Sequence, residues 1–388
     1  MTLEGPTAEQ LKRMREEIQE DPEMVKQDLV HLRDWLNKQP HLPHHMEDAR
    51  LERFLYGCKL NVERTKRVLD TYYMVRATVP EFFRDRDPLS RDIQFSFRHM
   101  HYVPLPVLTP LGYRPTLLRL ADCDVKSFDI RSLTTRIVMS LDARLLEERC
   151  LNNVMLVDLE GYTMAHYAKL SPTLAIVRKA LLCIQDAFPL RLAQLHLLNT
   201  PVFINNVINL FRPFLKEKLM QKFFFHCSGY ESLYEHVPRE ALPQEYGGTL
   251  GSVAELTERW NQKLVALRPW FLHEQLVSKS DETRRPPGGR STTASALASG
   301  SEAHGKDVQT RPALGYPGDS SLVNGAPSEI PHRGAVRTAG SAETEGQTLR
   351  ATNFCLRLSL LDVKLRAVDV SKDMATRNVL VGMQFSVF

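Results

Sequence analysis

Histidines, cysteines and paired carboxylates are where this chain's chemistry would sit, and they are sparse. His41, His44 and His45 fall together in the string QPHLPHH, around Pro40 and Pro43. A metal site needs ligands at helical or turn spacing with a companion group, and no HExxH or second cluster follows. The three histidines are therefore expected in a solvated loop. Asp158 and Glu160 stand at the end of an apolar run, where open α/β sheets hold their ligands. Acid–base catalysis would need a partner that the spacing does not supply, so the expectation is capping of the next turn, with Gly161 reversing the chain. The six cysteines, Cys58, Cys123, Cys150, Cys183, Cys227 and Cys355, contain no CxxC pair. That argues against a zinc site or disulfide framework and predicts buried or surface thiols. No GxSxG, GxGxxG or GxxxxGK[ST] occurs. No catalytic residue, metal or cofactor is implied.

The elements that would position any site divide the 388 residues into regimes. The opening MTLEGPTAEQLKRMREEIQE mixes acids and bases without an apolar core, so no secretory leader is expected and a cytoplasmic location is. No run of about eighteen apolar residues suggests a membrane span. A net charge of +4 does not point to nucleic acid. After an N-terminal extension (1–23), a helical layer (24–90) is expected. Asp48 would cap a helix carrying Leu51, Phe54 and Leu55, and a second run carries Val62, Val68, Leu69, Tyr72, Tyr73 and Val75 at helical spacing.

From 91 to 277, short apolar runs alternate with amphipathic ones. Strands are predicted at Pro115–Leu120, Val154–Leu159, Leu195–Leu198 and Phe223–Cys227. Helices are predicted at Ile130–Glu148 behind Asp129, Pro172–Phe188 behind Ser171, and Pro201–Gln221 behind Thr200. The last two follow a hydroxyl cap and place proline at the first position, where its missing amide costs nothing. Such alternation implies an α/β fold with a largely parallel sheet. Residues 278–350 are dominated by Gly, Ser, Thr, Ala, Pro and Arg, a composition expected to be disordered. Residues 351–388 show a strand period without an evident partner.

The segment PVFINNVINLFRPFLKEKLMQK, Pro201–Lys222, is amphipathic in a particular way. Phe203, Val207, Leu210, Phe211 and Phe214 form one apolar stripe. Arg212, Lys216, Lys218 and Lys222 gather at its far end, a combination suited to anionic lipid. Pro213 should kink or break the helix.

These residues sit in a longer resemblance. FPLRLAQLHLLNTPVFINNVINLFRPFLKEKL, with DLEG at Asp158–Gly161, ESLYEHVPREALPQEYGG at Glu231–Gly248 and LERFLYGCKLNVERTKRVLDTYY at Leu51–Tyr73, resembles the CRAL-TRIO family. The likeness is strongest to its tocopherol- and retinaldehyde-carrying branch and runs from about Met24 to Trp270. EFFRDRDPLS and YVPLPVLTP look like the arthropod expansion of these carriers. The resemblance implies a helical layer and a mixed sheet flooring a deep apolar cavity, under a mobile lid at Thr200–Gln221.

By position it implies a pocket lined by Thr135, Met139, Val157, Leu182, Ile184, Phe188 and Leu190, with Phe203, Val207, Ile208, Leu210, Phe211 and Phe214 from the lid. Thr135 stands where the tocopherol carriers have a serine, and Met139 replaces a second one. Arg67, Arg191, Lys218 and Lys222 match cations that hold phosphoinositide headgroups in that branch, and Lys216 lies beside them. Ala193 and Cys58 stand where further cations would be. The implied function is non-enzymatic binding and transfer of a retinoid, tocopherol-like isoprenoid or other lipid. The chain would act as a monomer, its lid opening at an anionic or phosphoinositide-containing membrane surface. The alternative is a lipid-sensing adaptor that recruits a partner through its tail.

Overall fold

Capped amphipathic helices and short leucine-rich runs together build one sheet with helices on both sides. The computed structural model describes residues 1–148, 152–215, 217–227, 229–287 and 292–299. The helical layer comprises α1 (Ala8–Glu17), α2 (Pro22–Asn37), α3 (Asp48–Gly57), α4 (Val62–Thr78) and the short α5 (Pro80–Phe83), followed by α6 (Arg91–His99). Asp21 caps α2 by accepting from the amides of Glu23 and Met24, and Asn61 caps α4 by accepting from Arg64. The expected Asp48 cap is corrected: Glu47 is the N-cap and Asp48 the first helical residue, its carboxylate taken by Arg33.

The sheet runs in the order β1 (Met100–Pro104), β2 (Arg114–Leu120), β3 (Asn152–Asp158), β4 (Arg191–Leu198), β5 (Phe223–His226). β1 is antiparallel to β2 and every other pairing is parallel. The crossovers are α7 (Ile130–Glu147) between β2 and β3, α8 (Met164–Leu170) and α9 (Leu174–Asp186) between β3 and β4, and α10 (Ile204–Phe211) with α11 (Glu217–Met220) between β4 and β5. Asp129 caps α7 as predicted, accepting from Arg131 and Ser132.

Two other predicted caps are not formed. Ser171 lies in a 3₁₀ turn, Ser171–Thr173, that leads straight out of α8, and its backbone is already helical. It cannot adopt the extended geometry an N-cap needs. Thr200 directs its hydroxyl to Cys227 Sγ at 3.3 Å, and α10 begins only at Ile204.

The chain closes with α12 (Glu231–Tyr234), α13 (Val253–Ala266), α14 (Arg268–Val277) and α15 (Thr292–Ser299). Order extends beyond the expected limit at 278. Ser278 and Ser280 are buried, Arg285 pairs with Asp70 at 2.8 Å, and Thr293 donates to Asp186. The tail predictions for 300–388 fall outside the described residues.

One core joins the helical layer to α7 and α9, with Leu51, Phe54, Leu55, Tyr72, Tyr73, Val138 and Phe188 at its centre. At this junction Asp142 accepts from Tyr72, Arg76 and Arg86. Burial pushes its carboxyl up, but the charges of Arg76, Arg86 and Arg50 and the Tyr72 hydrogen bond hold it below the usual range. A second core packs Leu117, Val154, Leu156 and Leu198 against Trp260, Phe271 and Tyr246.

The expected histidine loop proves to be partly internal. His41 is buried with Nε2 2.9 Å from Asp70, and His45 reaches Ser278. Cys58 and Cys183 are buried free thiols and Cys123 an exposed one. Cys227 departs from the expectation of thiols throughout, being disulfide-bonded. Cys150 and Cys355 lie outside the described residues.

Candidate ligand-binding site beneath the lid

Register decides which side chains share a face of the sheet. Tyr102, Leu118, Val157, Leu197 and Phe225 form one row across all five strands. Thr116, Met155, Leu195 and Phe223 form the next row on the same face. Leu117, Leu156 and His196 alternate with these and point to the opposite face, where Leu117 and Leu156 meet α13. On the first face Leu118, Met155, Val157, Leu195, Phe223 and Phe225 remain half-buried. The predicted Val157 thus belongs to a floor whose other members were not singled out. Their signal was present as strand alternation, which does not tell which face is which.

The lid lies over this face. The single helix expected from Pro201 to Gln221 is three pieces: α10, a 3₁₀ turn Arg212–Phe214, and α11. Pro213 makes the break, as predicted. Leu210 and Phe211 pack against the front-face cluster of Met100, Leu120, Phe128, Leu133, Leu170 and Val177, which Leu118, Ile137 and Leu181 also border. Phe203 lies 6.3 Å from the Tyr162 ring, and Gln185 Nε2 donates to the Phe214 carbonyl at 3.1 Å. Val207, Ile208 and Phe214 are half-buried, whereas Ile204, absent from the predicted set, is the most buried lid residue at 3% exposure.

The remaining predicted lining residues are held elsewhere. Thr135 is buried and its hydroxyl donates to the Arg131 carbonyl. Met139 is fully buried in the core behind the sheet, with Leu117, Leu156 and Trp260. Phe188 stands edge-on to Tyr72 at 5.8 Å, beneath the Arg76 guanidinium, and Leu182, Ile184 and Leu190 pack against the same helical-layer core.

The end of β3 carries no free acid. Asp158 accepts from Tyr246 Oη at 2.7 Å, Asn199 at 2.8 Å and the Glu160 amide at 2.9 Å, and pairs with Arg119. Gly161 follows at φ +75°, where a Cβ would strike Cys123. The expected turn cap is therefore what the structure contains. Among the described residues no group of His, Cys, Asp and Glu could hold a metal, and no helix is long and apolar enough to cross a membrane.

Part of the predicted cationic set is gathered where the helical layer meets the start of β4. Burial pushes the Cys58 thiol up, while a Thr65 hydrogen bond and the charges of Arg64, Arg191 and Arg67 pull it down. Cys58 therefore sits among guanidiniums, and Arg64 joins the predicted Arg67 and Arg191. Burial and Arg191 together lower the pKa of Lys222, whose ammonium donates to the Leu192 carbonyl. Arg191 pairs with Glu17 of α1 at 3.5 Å, and Glu17 also holds Lys59. Ala193 occupies the irregular step where the β3–β4 register shifts. Lys218 is exposed, and Lys216 lies outside the described residues.

An α/β sheet with a broken helix over a half-buried apolar face defines a lidded binding fold. The family profile described as CRAL/TRIO domain matches residues 100–248, and that described as Pinta-like, UBA domain matches 21–93. The chain is 32% identical over 272 residues to the human protein named alpha-tocopherol transfer protein-like, covering 69% of this chain and 78% of that one. It is 28% identical to rat clavesin-2 over 63% of this chain and 76% of the relative. The crystal structure of Sfh5 aligns over 71% of this chain and 99% of its own, at 11% identity and a TM-score of 0.37. The chain belongs to the CRAL/TRIO family of lipid-binding transfer proteins.

Proposed function

We propose that this chain carries a hydrophobic small molecule between the sheet floor and α10, performs no covalent chemistry on it, and exchanges it at an anionic membrane. One observation carries the reading: Leu118, Met155, Val157, Leu195, Phe223 and Phe225 stay partly exposed on a central sheet face that the lid covers. An apolar face left loosely covered inside a fold is the usual form of a small-molecule site. Burying each large apolar segment of a ligand there is worth roughly 1.5–3 kcal/mol. Similarity to a relative named for tocopherol transfer supports the same class of cargo, retinoid, tocopherol-like isoprenoid or other lipid. The engaged Asp158 supports carriage over catalysis.

The membrane step draws on the lid's edges. Val202 is 82% exposed at the lid entrance, and Met164, two residues from the ring that meets Phe203, is 49% exposed. Arg64, Arg67, Arg191, Lys218 and Lys222 supply cations, each worth about 1 kcal/mol near an anionic leaflet. A membrane shifts the lid only by binding the open state better than the closed one. Apolar side chains and cations that both find partners in lipid provide that difference.

The test is ligand transfer between liposomes containing phosphoinositide, with the double substitution Lys218→Glu and Lys222→Glu in the full chain. Transfer should slow by about tenfold or more while ligand affinity changes little. Unchanged transfer would remove the membrane step. A purified chain that neither retains nor takes up lipid by native mass spectrometry would remove carriage itself.

A further inference from the structure

Two hydrogen-bond donors lie unpartnered in the apolar cluster beneath the lid. The amide of Thr163 donates to His166 Nδ1 at 3.2 Å, closing the first turn of α8. A backbone amide only donates, so Nδ1 is the accepting nitrogen and the ring proton resides on Nε2. His166 is fully buried and its Nε2 has no partner. Tyr162 Oη is also buried without a partner.

The two rings stack, with centroids 5.3 Å apart and planes 29° apart. Phe128 stands edge-on to both, at 6.1 and 5.6 Å, and Phe203 of the lid is next to Tyr162. Tyr162 shares its cluster with Leu118 of the floor and with Leu210 and Phe211 of the lid. Burial pushes the Tyr162 phenol up and the His166 imidazole down. Both are thus neutral donors at pH 7. Buried polar groups in folded proteins are nearly always paired, because an unpaired one costs about 1–3 kcal/mol. Two such donors on stacked rings, in a cluster of apolar side chains, ask for an acceptor.

We propose that Tyr162 Oη and His166 Nε2 together receive an oxygen at one end of the ligand, seated beneath Phe203. This rests on the carrier reading and adds to it the polarity and direction of the cargo: oxygenated end at α8, hydrocarbon along the floor. The acceptor is a neutral carbonyl or hydroxyl oxygen. A carboxylate would be buried without a counter-charge, because the nearby Lys169 ammonium is committed to the carbonyls of Val125 and Lys126. An ammonium-bearing ligand would be buried without a counter-charge as well, with only the Tyr162 oxygen to accept from it.

The substitutions Tyr162→Phe and His166→Asn separate the anchor from the fold. Phenylalanine keeps the ring stack, and the asparagine oxygen can still accept the Thr163 amide while the distal donor is lost. The full chain and both variants are incubated with an equimolar mixture of retinol, 1-hexadecanol, palmitate, anhydroretinol and hexadecane. Bound lipid is then extracted and quantified by mass spectrometry, and thermal unfolding of each protein is recorded.

The wild type should enrich the two alcohols over their matched hydrocarbons and over palmitate. Each substitution should reduce that enrichment by about tenfold, the equivalent of one hydrogen bond, with Tyr162→Phe unfolding no earlier than the wild type. Equal enrichment of alcohols in all three proteins, or a preference of the wild type for hydrocarbon or palmitate, overturns the anchor and leaves carriage standing. No bound lipid of any class in the wild type overturns both.

Discussion

The two faces of the sheet use the same kinds of residue and reach different degrees of closure. Behind the sheet, Leu117, Val154, Leu156 and Leu198 are fully buried against Trp260 and Phe271. In front, Leu118, Met155 and Val157, their immediate neighbours in sequence, are only half-buried. Hydrophobicity does not separate the faces; what lies opposite them does. The back is covered by α13, fixed by a Ser252–Glu255 capping box and by Trp260 Nε1 donating to Ser140. The front is covered by α10, an eight-residue helix ended by the turn that holds Pro213. A well-anchored cover makes core, and a short, interrupted one leaves room for a guest.

The sharpest way to break this comparison is to truncate neighbours on opposite faces. Leu156→Ala should cost about 2–5 kcal/mol in urea unfolding, because the cavity it opens cannot collapse. Val157→Ala should cost less than about 1 kcal/mol in the ligand-free chain and weaken lipid binding instead. Equal destabilisation would mean that the front face is as tightly packed as the back.

A separate effect is acid sensitivity on the back-face register. His196 and His226 lie 2.9 Å apart between β4 and β5, and burial pushes them to about 3 and about 4. His101, on β1, is pushed to about 4, again mainly by burial. All three have folded pKa values below the unfolded one, so the unfolded chain binds more protons between about pH 6.5 and 4. Stability is therefore complete above about pH 6.5 and falls as pH drops. The slope is about 1.4 kcal/mol per pH unit for each proton that the unfolded chain takes up and the fold excludes. A urea midpoint that does not move between pH 7 and pH 5 would show that these histidines protonate within the fold.

The smallest stability effect should come from the lid. Pro213→Ala permits a continuous helix across the 3₁₀ turn, with a change of less than about 0.5 kcal/mol in urea unfolding. Liposome transfer should nevertheless slow, because a stiffer cover opens less readily. Unaltered transfer would remove the break from the account of lid motion.

Much of the fold was legible in the sequence because its signals are local. Asp129 caps α7 since its carboxylate reaches amides two and three residues on, and Pro213 interrupts the lid because it lacks an amide. Four of the five strands announced themselves as apolar runs. β1 did not: MHYVP becomes a strand only by pairing with β2. Ser171 and Thr200 misled for a related reason, since the continuation of α8 claims one and Cys227 the other.

The site was less legible. Periodicity marked Leu117 and Leu118, or Leu156 and Val157, as alternating without saying which face would be sealed. Tyr162 and His166 were not singled out in the sequence; only the fold brings Phe128 and the lid's Phe203 against them. The arginines around Cys58 come from segments more than a hundred residues apart.

By itself the sequence determined the Asp129-capped α7, the Pro213 break, four strands and the amphipathic lid, because caps, prolines and side-chain periods act over a few residues. Tertiary structure decided which apolar face stays open, which polar atoms are left without partners, and which cations meet. Those depend on what distant segments bring opposite one another, and no local pattern encodes that.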